Sequence, residues 1–273
     1  IRRQRQMCIR DSSLITDKRR QAVARCEVIQ SLAREIGEAA EHNRHLRILL
    51  GHGSGSFGHW EANRYGTRDG VREDKEWRGF ARVSAAALRL NRLVTEIFTD
   101  EEVPVLSLQP SAAALAHEGS ILRYETEPIK RALEHRLIPI VFGDVMFDTA
   151  RGGTILSTED IFVYLAQVFR PSWIILLGNT PGVLMDKGTV IPLITPELHA
   201  QVQAYLQGSA YTDVTGGMAN KVKQMLTLTQ RQPGVRVRIM SGHQPGLLAQ
   251  TLRAPDKATA GTLIAAMPPG GTP

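Results

Sequence analysis

Ile48-Leu49-Leu50-Gly51-His52-Gly53-Ser54-Gly55-Ser56-Phe57-Gly58-His59 is the stretch that decides the fold. An apolar run, Leu46 to Leu50, breaks into a loop of small residues that ends in a histidine. Glycines at 51, 53, 55 and 58 allow turns that side chains forbid, and they let main-chain N–H groups converge on an anion. A buried strand feeding such a loop, with a helix to follow, is a common way to hold phosphate. A glycine-rich turn without a ligand is the other reading, and the spacing is not that of a P-loop.

Outward from this loop, short apolar runs alternate with helical periodicity. Strands are expected at Leu46–Leu50, Val103–Leu108, Ile138–Phe142, Trp173–Leu177, Val235–Met240 and Thr262–Ala266. Helices are expected over 19–41, 79–98, 126–136, 158–169 and 219–231. Arg151-Gly152-Gly153 marks a hairpin between Val145–Asp148 and Thr154–Leu156. The polar stretch from the glycine loop to Trp77 has no clean period and reads as a loop or lid. The pattern predicts an α/β fold with a largely parallel central sheet sandwiched by helices on both faces. Ligands of such sheets lie beyond the carboxyl ends of the strands, where loops 51–59, 143–144 and 178–182 can converge.

Length and composition set the bounds. The 273 residues read as a single domain, 1–273, with 268–273 a disordered tail. Residues 1–12 do not look like a buried first strand and are expected to be foreign or disordered. No apolar run reaches bilayer length. Cys8 and Cys26 lack metal or redox spacing and suit a cytoplasmic protein. The net charge of +6 is scattered and poorly interleaved with aromatics, which argues for a small anionic substrate and against nucleic acid.

Four groups of residues carry candidate chemistry. The first is the loop ending in His59, a titratable donor. The second is Gly143-Asp144 with Asp148 and Thr158-Glu159-Asp160. These carboxylates suit Mg²⁺ or lysine orientation, although acids at a helix start need no further function. The third is Asp213-Val214-Thr215-Gly216-Gly217-Met218 with Lys221, a helix start suited to nucleotide phosphates. The fourth is Thr16-Asp17-Lys18, which alone would pass for a charged helix start.

In this order the groups resemble the amino-acid kinase superfamily, and within it the isopentenyl phosphate kinases. The matching motifs are Leu14-Ile15-Thr16-Asp17-Lys18, His52 to His59, Gly143-Asp144-Val145, Ser157 to Asp160, Asp213 to Met218 with Lys221, and Gly261-Thr262-Leu263-Ile264. The resemblance implies ATP- and Mg²⁺-dependent conversion of isopentenyl phosphate to isopentenyl diphosphate by a homodimer. It implies Lys18, His59 and Asp144 as catalytic residues. Gly53, Gly58, His59 and Thr158 would hold the acceptor phosphate, and no metal ligand is named. Ser13, Ser54, Gly55, Asn179, Gly216, Gly217 and Lys221 would hold ATP.

The departures keep two alternatives open: a kinase for another small phosphate or phosphonate such as fosfomycin, and a catalytically impaired nucleotide-binding homologue. The family's Lys-x-Gly-Gly-Ser falls at Ile9-Arg10-Asp11-Ser12-Ser13, without its lysine and glycines. Ser54 replaces a loop glycine, Thr158-Glu159 replaces Gly-Asp, and Gly178-Asn179-Thr180-Pro181-Gly182 replaces the stretch that flanks the nucleotide base.

Overall fold

A computed structural model describes residues 4–10, 12–185, 188–198 and 217–267. Its centre is an eight-stranded sheet. In chain order the strands are β1 (Gln4–Arg10), β2 (Leu46–His52), β3 (Val105–Ser107), β6 (Ile138–Phe142), β9 (Trp173–Gly178), β10 (Leu193–Ile194), β11 (Arg236–Ser241) and β12 (Thr262–Ile264). They lie side by side as β10-β12-β11-β9-β1-β2-β6-β3. All pairings are parallel except that between β11 and β12. A second sheet, β5-β4-β7-β8, is built from β4 (Ala114–His117), β5 (Ser120–Tyr124), β7 (Asp144–Asp148) and β8 (Gly152–Leu156).

The period of two along the buried strands decides what each face carries. On one face, Leu49 of β2 and Ile174 and Leu176 of β9 pack against Ile161, Phe162 and Leu165 of α7 (Thr158–Phe169) and Val222 and Met225 of α8 (Gly217–Arg231). On the other, Ile48, Leu50, Ile175 and Leu177 meet α2 (Cys26–His42), α4 (Asp74–Asp100) and α9 (Leu247–Arg253) through Leu32, Ile36, Leu90, Val94 and Leu248. Helices thus cover both faces, as the alternating pattern predicts.

The first departure from the sequence reading is β1. It is a central strand, hydrogen-bonded to β2 on one side and β9 on the other. The expectation that residues 1–12 stand apart from the sheet is therefore corrected for Gln4–Arg10. Its polar sequence conceals this, yet Gln6 is buried and donates through Nε2 to the Leu252 carbonyl at 3.0 Å.

The second departure is α3 (Gly55–Tyr65), which takes in the second half of the glycine loop and the first residues of the expected lid. Its glycines argue against helix on propensity. Packing overrides them: Phe57 is buried, and α3 lies so close to α4 that a Cβ on Gly79 would meet the Tyr65 ring. The β4–β5 hairpin and α6 (Glu127–Glu134) complete the far side of the domain. The expected tail at 268–273 lies outside the described residues. None of the described helices is long and apolar enough to cross a membrane.

Candidate active site

Two helix N-termini and the first described turn of a third helix border one cleft of about 2250 Å³. It lies beyond the carboxyl end of β2. Gly53, Ser54, Gly58 and His59 line it from the start of α3, Ser157 to Asp160 from the start of α7, and Gly217 and Lys221 from the start of α8. The α3 and α7 starts present N–H groups and the positive ends of dipoles, so their convergence favours an anion with several oxygens.

The α7 start is fixed by its own sequence. Ser157 is the N-cap, and its Oγ accepts the Asp160 N–H at 3.1 Å while Asp160 accepts the Ser157 N–H at 3.0 Å. That reciprocal pair is a capping box. Thr158 donates through Oγ1 to the His52 carbonyl at 2.6 Å, tying α7 to the end of β2. Two side chains then join α7 to α8. Lys221 Nζ lies 3.3 Å from Glu159 Oε1, and Gln224 Nε2 donates to Asp160 Oδ1 at 2.6 Å. Lys221 is thereby held at the cleft, with its side chain 12% exposed. Glu159 serves as a lysine partner, beyond a generic helix-start charge. Sequence reasoning missed Gln224; its signal was the spacing of three from Lys221, which puts both on one helix face.

Lys18 reaches the same cleft on a short turn that follows α1 (Ser12–Ile15). Thr16 and Ala24 form an antiparallel bridge, and the Asp17 N–H donates to the Val23 carbonyl at 3.0 Å. The turn is fastened to α3 twice: Ser56 N–H donates to Thr16 Oγ1, and Ala22 N–H donates to the Ser56 carbonyl, both at 3.2 Å. This fastening needs Gly55, whose φ is +52° and whose missing Cβ leaves room for Thr16. Gly55 therefore acts by packing against Thr16, and it does not line the cleft.

Beneath the glycine turn lies the His52 ring, 2% exposed and stacked on Phe142 with centroids 5.7 Å apart. Its Nδ1 is 3.0 Å from the Gly53 carbonyl oxygen and its Nε2 is 3.2 Å from Asn91 Oδ1. Farther along the cleft, beyond His59, Ala62, Val83 and Ile155 provide an apolar wall. They belong to a small cluster around Val71, Phe80 and Val145.

The remaining expected residues fall elsewhere. Asp144 is 1% exposed and does not line the cleft. Its carboxylate accepts N–H bonds from Ser111 at 3.3 Å and Val145 at 2.8 Å, and burial raises its pKa above the usual carboxylate value. Asp144, expected to be catalytic, is placed with its side chain turned to α5 (Pro110–Ala113).

Ser13 and Asn179 do come together. Asn179 Nδ2 donates to the Ser13 carbonyl at 3.1 Å and to its Oγ at 3.0 Å. His243, which the sequence reading passed over, lies 2.8 Å from Asn179 Oδ1 through Nε2. This group sits beyond the carboxyl ends of β1, β9 and β11, beside the cleft. Gly216 and Asp213 to Thr215 lie outside the described residues. Among the described residues, no group of three or more His, Cys, Asp or Glu side chains is placed to hold a metal ion.

Comparison with known proteins agrees with this geometry. Residues 11–241 match the model of the Amino acid kinase family. The chain is similar to isopentenyl phosphate kinase of Methanocaldococcus jannaschii, with 29% identity over 219 residues covering 77% of this chain and 82% of that protein. It is equally similar to the isopentenyl phosphate kinase of Methanothermobacter thermautotrophicus, 29% over 241 residues, covering 82% and 85%. A solved isopentenyl phosphate kinase superposes with a TM-score of 0.79 at 25% identity, covering 96% of this chain and all of that one. The Thermoplasma acidophilum isopentenyl phosphate kinase in its product complex shares the fold at a TM-score of 0.75, with 20% identity over 95% of this chain and 99% of that one. On the match over residues 11–241, this chain belongs to the amino acid kinase family.

Proposed function

We propose that the protein transfers the γ-phosphoryl group of ATP to isopentenyl phosphate, giving isopentenyl diphosphate and ADP. The observation that carries this reading is the cleft: the N-termini of α3 and α7, with Lys18 and Lys221, beside an apolar wall. The helix starts suit phosphate oxygens, and the wall at Ala62, Val83 and Ile155 suits a short hydrocarbon tail. The relatives with that activity support the same choice of acceptor.

In this reading an oxygen of the acceptor phosphate attacks the γ-phosphorus, and the bond to the oxygen shared with the β-phosphate breaks. The attacking oxygen is already ionised at neutral pH, so positioning and charge neutralisation dominate. His59 donates a hydrogen bond to the acceptor phosphate, while Gly53, Gly58 and Thr158 shape its seat. Lys18 balances charge on the moving group. Lys221, aimed by Glu159, and Gly217 hold the nucleotide phosphates, and Ser54 offers its N–H to the group in transfer. Ser13 and Asn179 border the nucleotide beyond β1 and β9.

The described residues form no protein cage for a divalent ion, and the cleft carboxylates Glu159 and Asp160 already engage Lys221 and Gln224. Mg²⁺ therefore enters as part of the MgATP substrate, held by phosphates and water. The homodimer and the cytoplasmic setting belong to this proposal too. The former rests on the resemblance and the latter on the two cysteines.

A coupled ADP-release assay with isopentenyl phosphate tests the proposal, with fosfomycin run beside it. Turnover of isopentenyl phosphate that falls at least tenfold in His59→Ala is expected. Preferential turnover of fosfomycin, or none of either substrate, overturns it.

A further inference from the structure

Phosphoryl transfer as derived above makes no use of one buried titratable side chain next to the cleft, His52. Its Nδ1 faces the Gly53 carbonyl at 3.0 Å and its Nε2 faces Asn91 Oδ1 at 3.2 Å; both oxygens only accept, so with the Asn91 amide as placed the ring donates from both nitrogens. Two further contacts hold the ring at this oxygen. Phe142 stacks on its face, and Asn91 holds its far edge and itself donates to Ser107 Oγ at 2.6 Å.

The described peptide bonds include no cis bond. In a trans peptide the C=O and the following N–H point in opposite directions. Holding the Gly53 carbonyl inward on His52 therefore turns the Ser54 N–H outward, and Gly53 and Ser54 both line the cleft. Gly53 has no Cβ, so this peptide plane meets little steric resistance to rotation. A flipped plane would offer the incoming phosphates a carbonyl oxygen in place of a donor.

We propose that His52 is a positioning residue: by donating from Nδ1 to the Gly53 carbonyl, it locks the 53–54 peptide so that the Ser54 N–H faces the phosphoryl oxygens. This rests on the phosphoryl-transfer reading of the cleft. Asn91 and Ser107, which do not line the cleft, act through the ring.

Two substitutions separate the lock from packing. His52→Asn keeps an amide nitrogen near the Nδ1 position, whereas His52→Gln places one near Nε2 and leaves Gly53 without a donor. The expected result is a kcat for His52→Gln reduced roughly 100-fold, the scale for loss of one aligned donor, with KM for isopentenyl phosphate within about threefold. His52→Asn should recover to within about tenfold of wild type. A second readout is the ¹⁵N–¹H resonance of Ser54 during titration with inorganic pyrophosphate. It should shift in wild type and His52→Asn and stay unmoved in His52→Gln.

Equal losses in both variants that track their melting temperatures, or an equal Ser54 response in all three proteins, overturn the lock. A Ser54 pattern as expected in a protein that does not phosphorylate isopentenyl phosphate sustains the lock and removes the substrate assignment. If His52→Gln does not fold, Asn91→Ser carries the test. A drop in kcat of roughly tenfold at unchanged KM supports the lock, and an unchanged kcat refutes it.

Discussion

Replacing Gly55 by alanine should unfasten Lys18 from the helix that carries His59. Gly55 has φ +52°, where a residue with a Cβ costs about 1–2 kcal/mol. The new Cβ would also run into Thr16 Oγ1 and sit 2.7 Å from Thr16 Cγ2. Thr16 is fully buried and has no room to turn away. Its displacement breaks the Ser56 N–H bond to Oγ1, worth about 1 kcal/mol. The total is about 3 kcal/mol, or a melting temperature lower by roughly 6–12 °C in a domain of this size. Turnover should fall further than stability explains, because the displaced turn carries Lys18. The assay is a thermal melt with ADP release on Gly55→Ala, Thr16→Ala and the double variant. Thr16→Ala removes the clashing atoms, so the double variant should lose at least about 1 kcal/mol less than the sum of the singles. Additivity within about 0.5 kcal/mol, or a single Gly55→Ala variant that melts like wild type, would refute the reasoning.

Three further outcomes follow from the cleft and its surroundings. Lys221→Met should lower kcat/KM for ATP roughly 100-fold or more while the melting temperature barely moves, since Lys221 is charged against nucleotide oxygens more than against the fold. Glu159→Gln should cost less, about tenfold, because the lysine stays charged and loses only its aim. Asp144→Asn should keep kcat within about threefold; a loss near 100-fold would return Asp144 to catalysis. The same variant has a pH signature. Burial raises the folded-state pKa of Asp144 above 3.8, so the folded protein binds the proton more tightly than the unfolded chain. Wild-type stability contributed by this group is present at low pH and declines as pH rises through the raised value. Asp144→Asn should therefore gain in melting temperature relative to wild type near pH 7 and lose that gain toward pH 4. Calorimetric melts at the two pH values check the sign.

Continuous apolar runs made most of the sheet legible, because Ile48, Leu49 and Leu50 are buried on both faces as a parallel strand requires. The helix at Thr158 was legible to the residue, since its cap is written locally in Ser157 and Asp160. β1 was not: its place is fixed by hydrogen bonds to β2 and β9, and backbone pairing leaves no apolar signature in Gln4-Arg5-Gln6. α3 was hidden for a related reason, because glycine lowers helix propensity and the compensation comes from α4, distant in sequence. Lys18, His59 and Lys221 could be named from motif order, and the cleft unites them. The direction that Asp144 faces could not be read that way. A carboxylate after a strand has two directions to face, and only the packing of α5 shows which it takes.

The central position of β1 has a consequence for biogenesis. Met7 lies between Leu49 and Ile174, so one of its neighbours is synthesised soon after it and the other far later. At translation rates of about 5–20 residues per second, the open edge of β1 waits roughly ten seconds to half a minute for β9. Throughout that interval a β1–β2 pair presents unpaired N–H and C=O groups to any passing strand. The polar residues of β1, which hide it from a reader of the sequence, also make that waiting edge a poor template for aggregation.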